Sequence, residues 1–240
     1  DVYHEDAKLY DILNADGSRR GSFFVPLYAR PKKGSGAWMD ECVGRRRLGT
    51  QSSQPVAYLV CNFMPPRRSS SGAGAGAQER PPSRSSSGAS AGAQERPSLL
   101  THSEVVTMFH EFGHGLHHML TRVDYPSIAG INGVAWDAVE LPSQFMENFA
   151  WRPEVLPLIS GHVETGEPLP KAELERLLGS RTFQAGMQNV RQLEFALFDW
   201  RIHSEYSPEA GARTLQILKE VRDHVAVVKP PAFNRFPHSF

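Results

Sequence analysis

"TMFHEFGHGLHHML", residues 107–120, holds four of the chain's ten histidines with two glycines and one glutamate. The run around it is otherwise apolar at helical spacing. Val105, Phe109, Phe112, Leu116, Met119 and Leu120 are expected to form one stripe of a helix. Thr101 and Glu104, just upstream, have the Thr-x-x-Glu spacing of a capping box, which fixes where such a helix starts.

Within this helix His110-Glu111-Phe112-Gly113-His114 is a His-Glu-x-x-His pentapeptide. Residues four apart stack on one helix face about 6 Å apart, so the two imidazoles can converge on one ion. Glu111 lies on the adjacent flank, where it can touch water held by that ion without binding the metal itself. Gly113 leaves room for another backbone to come close. His114 and His118 also stand four apart, but Gly115 occupies the position of the base, so that pair could hold a metal and not run the water chemistry. His117 and His118 are expected to be supporting or surface groups. A catalytic zinc site takes three protein ligands, so one is missing. Asp137, Glu140 and Glu147 in "WDAVELPSQFMEN" are the candidates, and spacing alone does not choose among them.

Outward from this helix, residues 8–30 read as a hairpin, "AKLYDIL" and "GSFFVPLYA" joined by the turn chemistry of "NADGSRRG". "VAYLVCNF" (56–63) reads as a short strand bounded by Pro55 and Pro65. Helices are expected over 137–150, with Pro142 near its start or kinking it, and over 171–179, 182–205 and 208–226. The stripe Phe183, Met187, Val190, Leu197 and Trp200 is expected to face a core. Residues 67–98 differ in kind. "RSSSGAGAGAQERPPS" (68–83) and "RSSSGASAGAQERPS" (84–98) form a tandem repeat without a large apolar residue, read as a disordered insertion.

Composition narrows the function. The 26 basic residues balance 26 acidic ones, which gives no electrostatic case for nucleic acid or an anionic membrane. No apolar run approaches the ~18 residues of a membrane span. Two cysteines, Cys42 and Cys61, make neither a disulfide framework nor a cysteine-rich zinc site, and a reducing, cytoplasmic setting is the expectation. The first residue is Asp1, with no signal-like segment after it, so the chain is expected to start inside something longer or to have been processed.

Five motifs carry a resemblance: "GAWMDECVGRRR" (36–47), "PVAYLVCNF" (55–63), "FHEFGHGLHHMLT" (109–121), "GINGVAWDAVELPSQFMENF" (130–149) and "RQLEFALFDWRIHSEY" (191–206). Together, and in this order, they resemble the thimet oligopeptidase family of zinc metallopeptidases. The resemblance covers nearly all of 1–64 and 98–240. It implies a mainly α fold with a small β-sheet, a zincin-like catalytic core incomplete at both ends and interrupted by 67–98. It implies one Zn2+ per chain held by His110, His114 and Glu140, with Glu111 as general base and Glu147 as a carboxylate that orients a ligand histidine. The implied activity is endopeptidase cleavage of short unstructured peptides by a monomer. "VAYLVCNF" is expected either to pair with the substrate backbone as an edge strand or to pack in the core. Family members continue past "FPHSF" into a His and Gly-Gly-Tyr segment that hydrogen-bonds the oxyanion. Loss of such a donor typically costs 100-fold or more, so the alternative expectation is a fragment that binds zinc or peptide without efficient hydrolysis.

Overall fold

The computed structural model of the chain describes residues 3–68, 95–231 and 233–239. They fall into two compact units, Asp1–Gly161 and His162–Phe240. Most of the repeat lies outside the described residues.

In the first unit β1 (Ala7–Leu13) and β2 (Arg19–Pro26) form the expected antiparallel hairpin. Its turn is built as the sequence suggests. Asp16 Oδ1 accepts the Ser18 N–H at 2.9 Å, and Gly17 takes φ +82°. Three further strands follow, β3 (Trp38–Val43) and the small hairpin β4 (Arg46–Leu48) and β5 (Gln51–Ser53), none of which the sequence reading found. β6 (Val56–Val60) runs parallel to β2 and antiparallel to β3. The sheet order is β1-β2-β6-β3, so the expected edge strand is internal and β3 is an edge instead. Ala57, Leu59 and Val60 of β6 are buried, which makes core packing the role of "VAYLVCNF". The short strands β7 (Arg67–Arg68) and β8 (Glu95–Arg96), both inside the 67–98 segment expected to be disordered, pair antiparallel and bring its two ends together.

Helix α1 (His102–Met119) begins at the capping box foreseen above. Thr101 Oγ1 accepts from Glu104 N, and Glu104 Oε2 accepts from Thr101 N at 2.7 Å. At the other end Arg20 Nη2 donates to the Leu120 carbonyl at 2.7 Å, a cation on the negative end of the helix. The predicted apolar stripe is only half-buried apart from Met119, and Leu120 is exposed. The line that goes fully inside is Glu111, Gly115 and His118. Glycine decides this. A Cβ on Gly115 would lie 2.7 Å from a Leu59 methyl, so the bare backbone lets α1 settle on β6 along its polar side. Helix α2 (Leu141–Glu147) starts four residues later than predicted, with Pro142 in its first turn where no N–H is needed. A 3-10 turn (Asn148–Trp151) continues it, and α3 (Leu156–Ile159) closes the unit.

The second unit holds α4 (Lys171–Ser180), α5 (Ala185–Ser204) and α6 (Thr214–Val225), followed by a 3-10 turn (Phe236–Ser239). Phe198, Ile217, Leu218, Val221 and Phe236 form its core. The predicted α5 stripe is corrected here. Phe183 and Trp200 are each 72% exposed, and only Leu197 packs partly against the core. α5 turns Glu194 and Phe198 inward instead. Arg222 makes this possible, because its Nε donates to Glu194 Oε1 at 2.8 Å and neutralises the buried carboxylate. No helix among the described residues is long and apolar enough to cross a membrane.

Candidate metal centre

The site grows from the contact between α1 and α2. A Cβ on Gly113 would stand 2.5 Å from the Ser143 Cα and 2.6 Å from the Pro142 carbonyl oxygen. Only glycine lets the two backbones meet there, and the close approach foreseen from sequence is this one. It carries Glu140, at the start of α2, over the face of α1 that bears His110 and His114. The two imidazole centroids lie 4.9 Å apart with their planes at 81°. Glu140 Oε2 lies 3.1 Å from His110 Nε2 and 3.0 Å from His114 Nε2. These three residues are the group among the described residues whose donor atoms could hold one metal ion. The other two open candidates stand outside the group, Asp137 in an exposed turn and Glu147 against His110 Nδ1.

The donor geometry suits a cation. His110 Nδ1 is 2.7 Å from Glu147 Oε1. With the proton of the neutral ring on Nδ1, the Nε2 lone pair is left facing Glu140. A lone pair against a carboxylate at 3.1 Å is repulsive unless a positive charge lies between them. The separations of 3.0 and 3.1 Å are also close to the roughly 3.3 Å edge of a tetrahedron with ~2.0–2.1 Å metal bonds. Zinc, which favours imidazole and carboxylate donors in this arrangement, fits the residues present.

Electrostatics prepare each group differently. Burial pushes the His114 pKa down, against the pull of Glu140, so its ring stays neutral with a lone pair to give. The Glu140 carboxylate is held below its usual range, first by the hydrogen bond from Ser143 Oγ at 2.7 Å and also by the two histidines. Ser143 is wholly buried, and sequence reading missed it. Glu111 is only 6% exposed. Burial raises its pKa, Glu140 adds to the rise, and His110 and a hydrogen bond from the Met39 backbone N–H oppose it. A carboxylate with raised proton affinity beside a metal-binding set can accept and return a proton.

The reading of His118 as a supporting or surface group needs correction. It is wholly buried, and its Nε2 lies 3.1 Å from the Val43 carbonyl, which ties the end of α1 to the edge strand β3. Gly130, at φ +65°, closes over it, and a Cβ there would lie 2.4 Å from His118 Nδ1. His117 is half-buried and stands outside the metal-binding group. It lines a cavity of about 630 Å3, which touches none of the three donor residues.

The model of peptidase family M3 matches residues 1–240. Oligopeptidase A of Escherichia coli (strain K12) is 49% identical over 241 residues, covering all of this chain and 32% of that protein. The probable cytosolic oligopeptidase A of Arabidopsis thaliana is 38% identical over the whole chain and 31% of its own length. Dipeptidyl carboxypeptidase of E. coli is 31% identical over 87% of this chain and 26% of its own length. The chain therefore spans about a third of the length of the relatives it matches. With a family match along its full length, the chain belongs to peptidase family M3.

Proposed function

We propose that this chain carries the zinc-binding core of a metalloendopeptidase that cleaves short, unstructured oligopeptides. The observation that carries the reading is the convergence of His110, His114 and Glu140 within hydrogen-bond range, beside the buried carboxylate of Glu111. In this reading His110, His114 and Glu140 hold one Zn2+ in a zincin-like arrangement. Bound zinc supplies Lewis acidity, polarising a carbonyl and acidifying water toward a pKa of about 7.

The chain's own residues do the rest. Glu147 keeps the His110 proton on Nδ1 and so keeps Nε2 free to bind. Ser143 fixes the Glu140 carboxylate in its rotamer. Glu111 takes a proton from the attacking water on its carboxylate and returns it to the leaving amine, a task its raised proton affinity suits. The open edge of β3 gives an extended peptide a backbone to pair with.

The test joins metal analysis with hydrolysis of a quenched fluorescent peptide. One zinc per chain is expected, and Glu111→Gln should keep the zinc while lowering turnover by about 100-fold or more. Zinc with no Glu111-dependent hydrolysis would favour a metal-holding protein without peptidase activity, and absence of zinc would overturn the reading altogether.

A further inference from the structure

The sheet face turned away from α1 bears a second constellation. Ala57 and Leu59 point toward the helix, so Tyr58 and Val60 point the other way, with Asp40 and Trp38 opposite them on β3. Above them is a cavity of about 290 Å3 lined by Tyr3, Trp38, Tyr58, Arg30, Lys33 and Asp40, among others. Both cations come from one turn, Arg30-Pro31-Lys32-Lys33, closed by the Lys33 N–H to the Arg30 carbonyl at 3.2 Å. Lys32 sits at φ +68°, a left-handed conformation that is strained for a non-glycine residue. Strain of this kind collects where a site needs its side chains held.

The two cations are held in different ways. The Lys33 ammonium donates to the Pro26 and Tyr28 carbonyls at 2.7 and 2.9 Å and to that of Cys61, so its three protons are used, while burial and the neighbouring Arg30 pull its pKa below the ordinary lysine value. Arg30 Nη1 is buried and has no hydrogen-bond partner, while its guanidinium lies 5.9 Å from the Tyr3 ring centroid. Among the described residues neither cation forms an ion pair with a carboxylate. A buried, unpaired N–H of a charged group is costly. A planar guanidinium fork suits an oxyanion, and three aromatic rings beside it suit a flat apolar body. Asp40 is the one acidic group lining the cavity and moderates its positive charge.

We propose that this cavity binds a small organic oxyanion, a carboxylate or phosphoryl group on a flat ring, with Arg30 as the donor, Lys33 as the fixed charge and Trp38 and Tyr58 as the ring contacts. Isothermal titration of the full chain with benzoate, phenyl phosphate and inorganic phosphate at constant ionic strength tests it. The two ring-bearing probes should bind about tenfold more tightly than inorganic phosphate. Arg30→Gln should weaken both by about tenfold or more, the worth of a charged hydrogen bond. Trp38→Leu should remove the advantage of the ring alone. Asp40→Asn should tighten every anion several-fold, a gain that damage to the fold would not produce. Because the sheet separates the cavity from α1, these differences should be the same in zinc-loaded and metal-free protein. Equal titrations of wild type and Arg30→Gln, no gain in Asp40→Asn, or no saturable heat in the millimolar range would overturn the proposal.

Discussion

Helices α1 and α5 are near equals in length, and each is the central helix of its unit, yet they bury opposite kinds of surface. α5 contributes Phe198 to a core completed by Ile217, Leu218, Val221 and Phe236, and its one buried acid, Glu194, is answered by Arg222. α1 sends Glu111, Gly115 and His118 inside beside the apolar Met119, and among the described residues no lysine or arginine pairs with Glu111. A helix optimised for stability alone would not do this, since unpaired polar burial is costly. On the proposed function, the difference sets α5 as scaffold against α1 as the helix that carries the chemistry.

The sharpest way to break that contrast is to give α1 an ordinary residue where it uses a bare backbone. Gly113→Ala forces a methyl onto the α2 backbone, which cannot swing aside as a side chain would. We expect a loss of about 3 kcal/mol in the first unit, at the upper end of overpacking costs. Because Glu140 rides on α2, zinc affinity should fall by a similar free energy, on the order of 100-fold. Denaturant melts followed by zinc titration check this, and an unchanged zinc affinity would separate the α1–α2 contact from the metal centre.

In the second unit the comparable blow is removal of a partner. Arg222→Met leaves Glu194 with only the exposed Arg191, 3.4 Å away, and should cost about 3 kcal/mol, the low end for a broken buried pair. The double change Glu194→Leu with Arg222→Met should recover most of it, because a buried pair replaced by apolar groups is near neutral. Among the described residues the candidate metal-binding group lies wholly in the first unit, so zinc stoichiometry should hold in both variants. If the double variant is no better than the single one, the acid is not the reason for the loss.

A smaller effect is expected at the support of His110. Glu147→Ala removes the acceptor at Nδ1 and should lower zinc affinity by about 10–100-fold while leaving stoichiometry at one. Metal-buffered titration reads the difference. Glu147→Gln, which can still accept the Nδ1 proton, should lose less.

These residues also show what a reader of the bare chain can and cannot see. The capping box, the His-Glu-x-x-His pair and the need for a close backbone at Gly113 are local patterns, and each carries its own geometry. Glu140 could be singled out from Asp137 and Glu147 only through the family resemblance, because the choice depends on how α2 is docked. The edge position of β3 was hidden for the same reason. "WMDECV" has no clean alternation, and the order of strands follows from the parallel pairing of β2 with β6, seventeen residues beyond the end of β3 at most. The α5 stripe failed because a period selects a set of positions and not the partner that packs against them. Phe198 won over Trp200 once Phe236, 38 residues later, supplied the other wall.

The weakest of the expected effects is the response of the metal-free protein to acid, and it too divides the units. Burial holds the pKa of His102, His114 and His117 below the ordinary 6.5, all three in the first unit. The unfolded chain then binds protons at these positions more readily than the folded one, so stability rises with pH through this range. The contribution is intact above pH 6.5 and is lost as pH falls through the lower folded values. Glu111 acts in the opposite sense at more acid pH. Its raised pKa lets the folded state bind a proton first, which offsets part of the loss as the carboxylate range is entered. The second unit buries no histidine among the described residues. Hydrogen exchange resolved by peptide, run on metal-free protein between about pH 7 and pH 5.5, should therefore show protection falling in α1 and not in α5. Zinc should reduce the difference by the share of His114, because metal competes with protons for its lone pair, and leave the share of His102 and His117. Equal loss of protection in both helices would mean that the polar interior of α1 carries no greater proton-linked cost than an ordinary core.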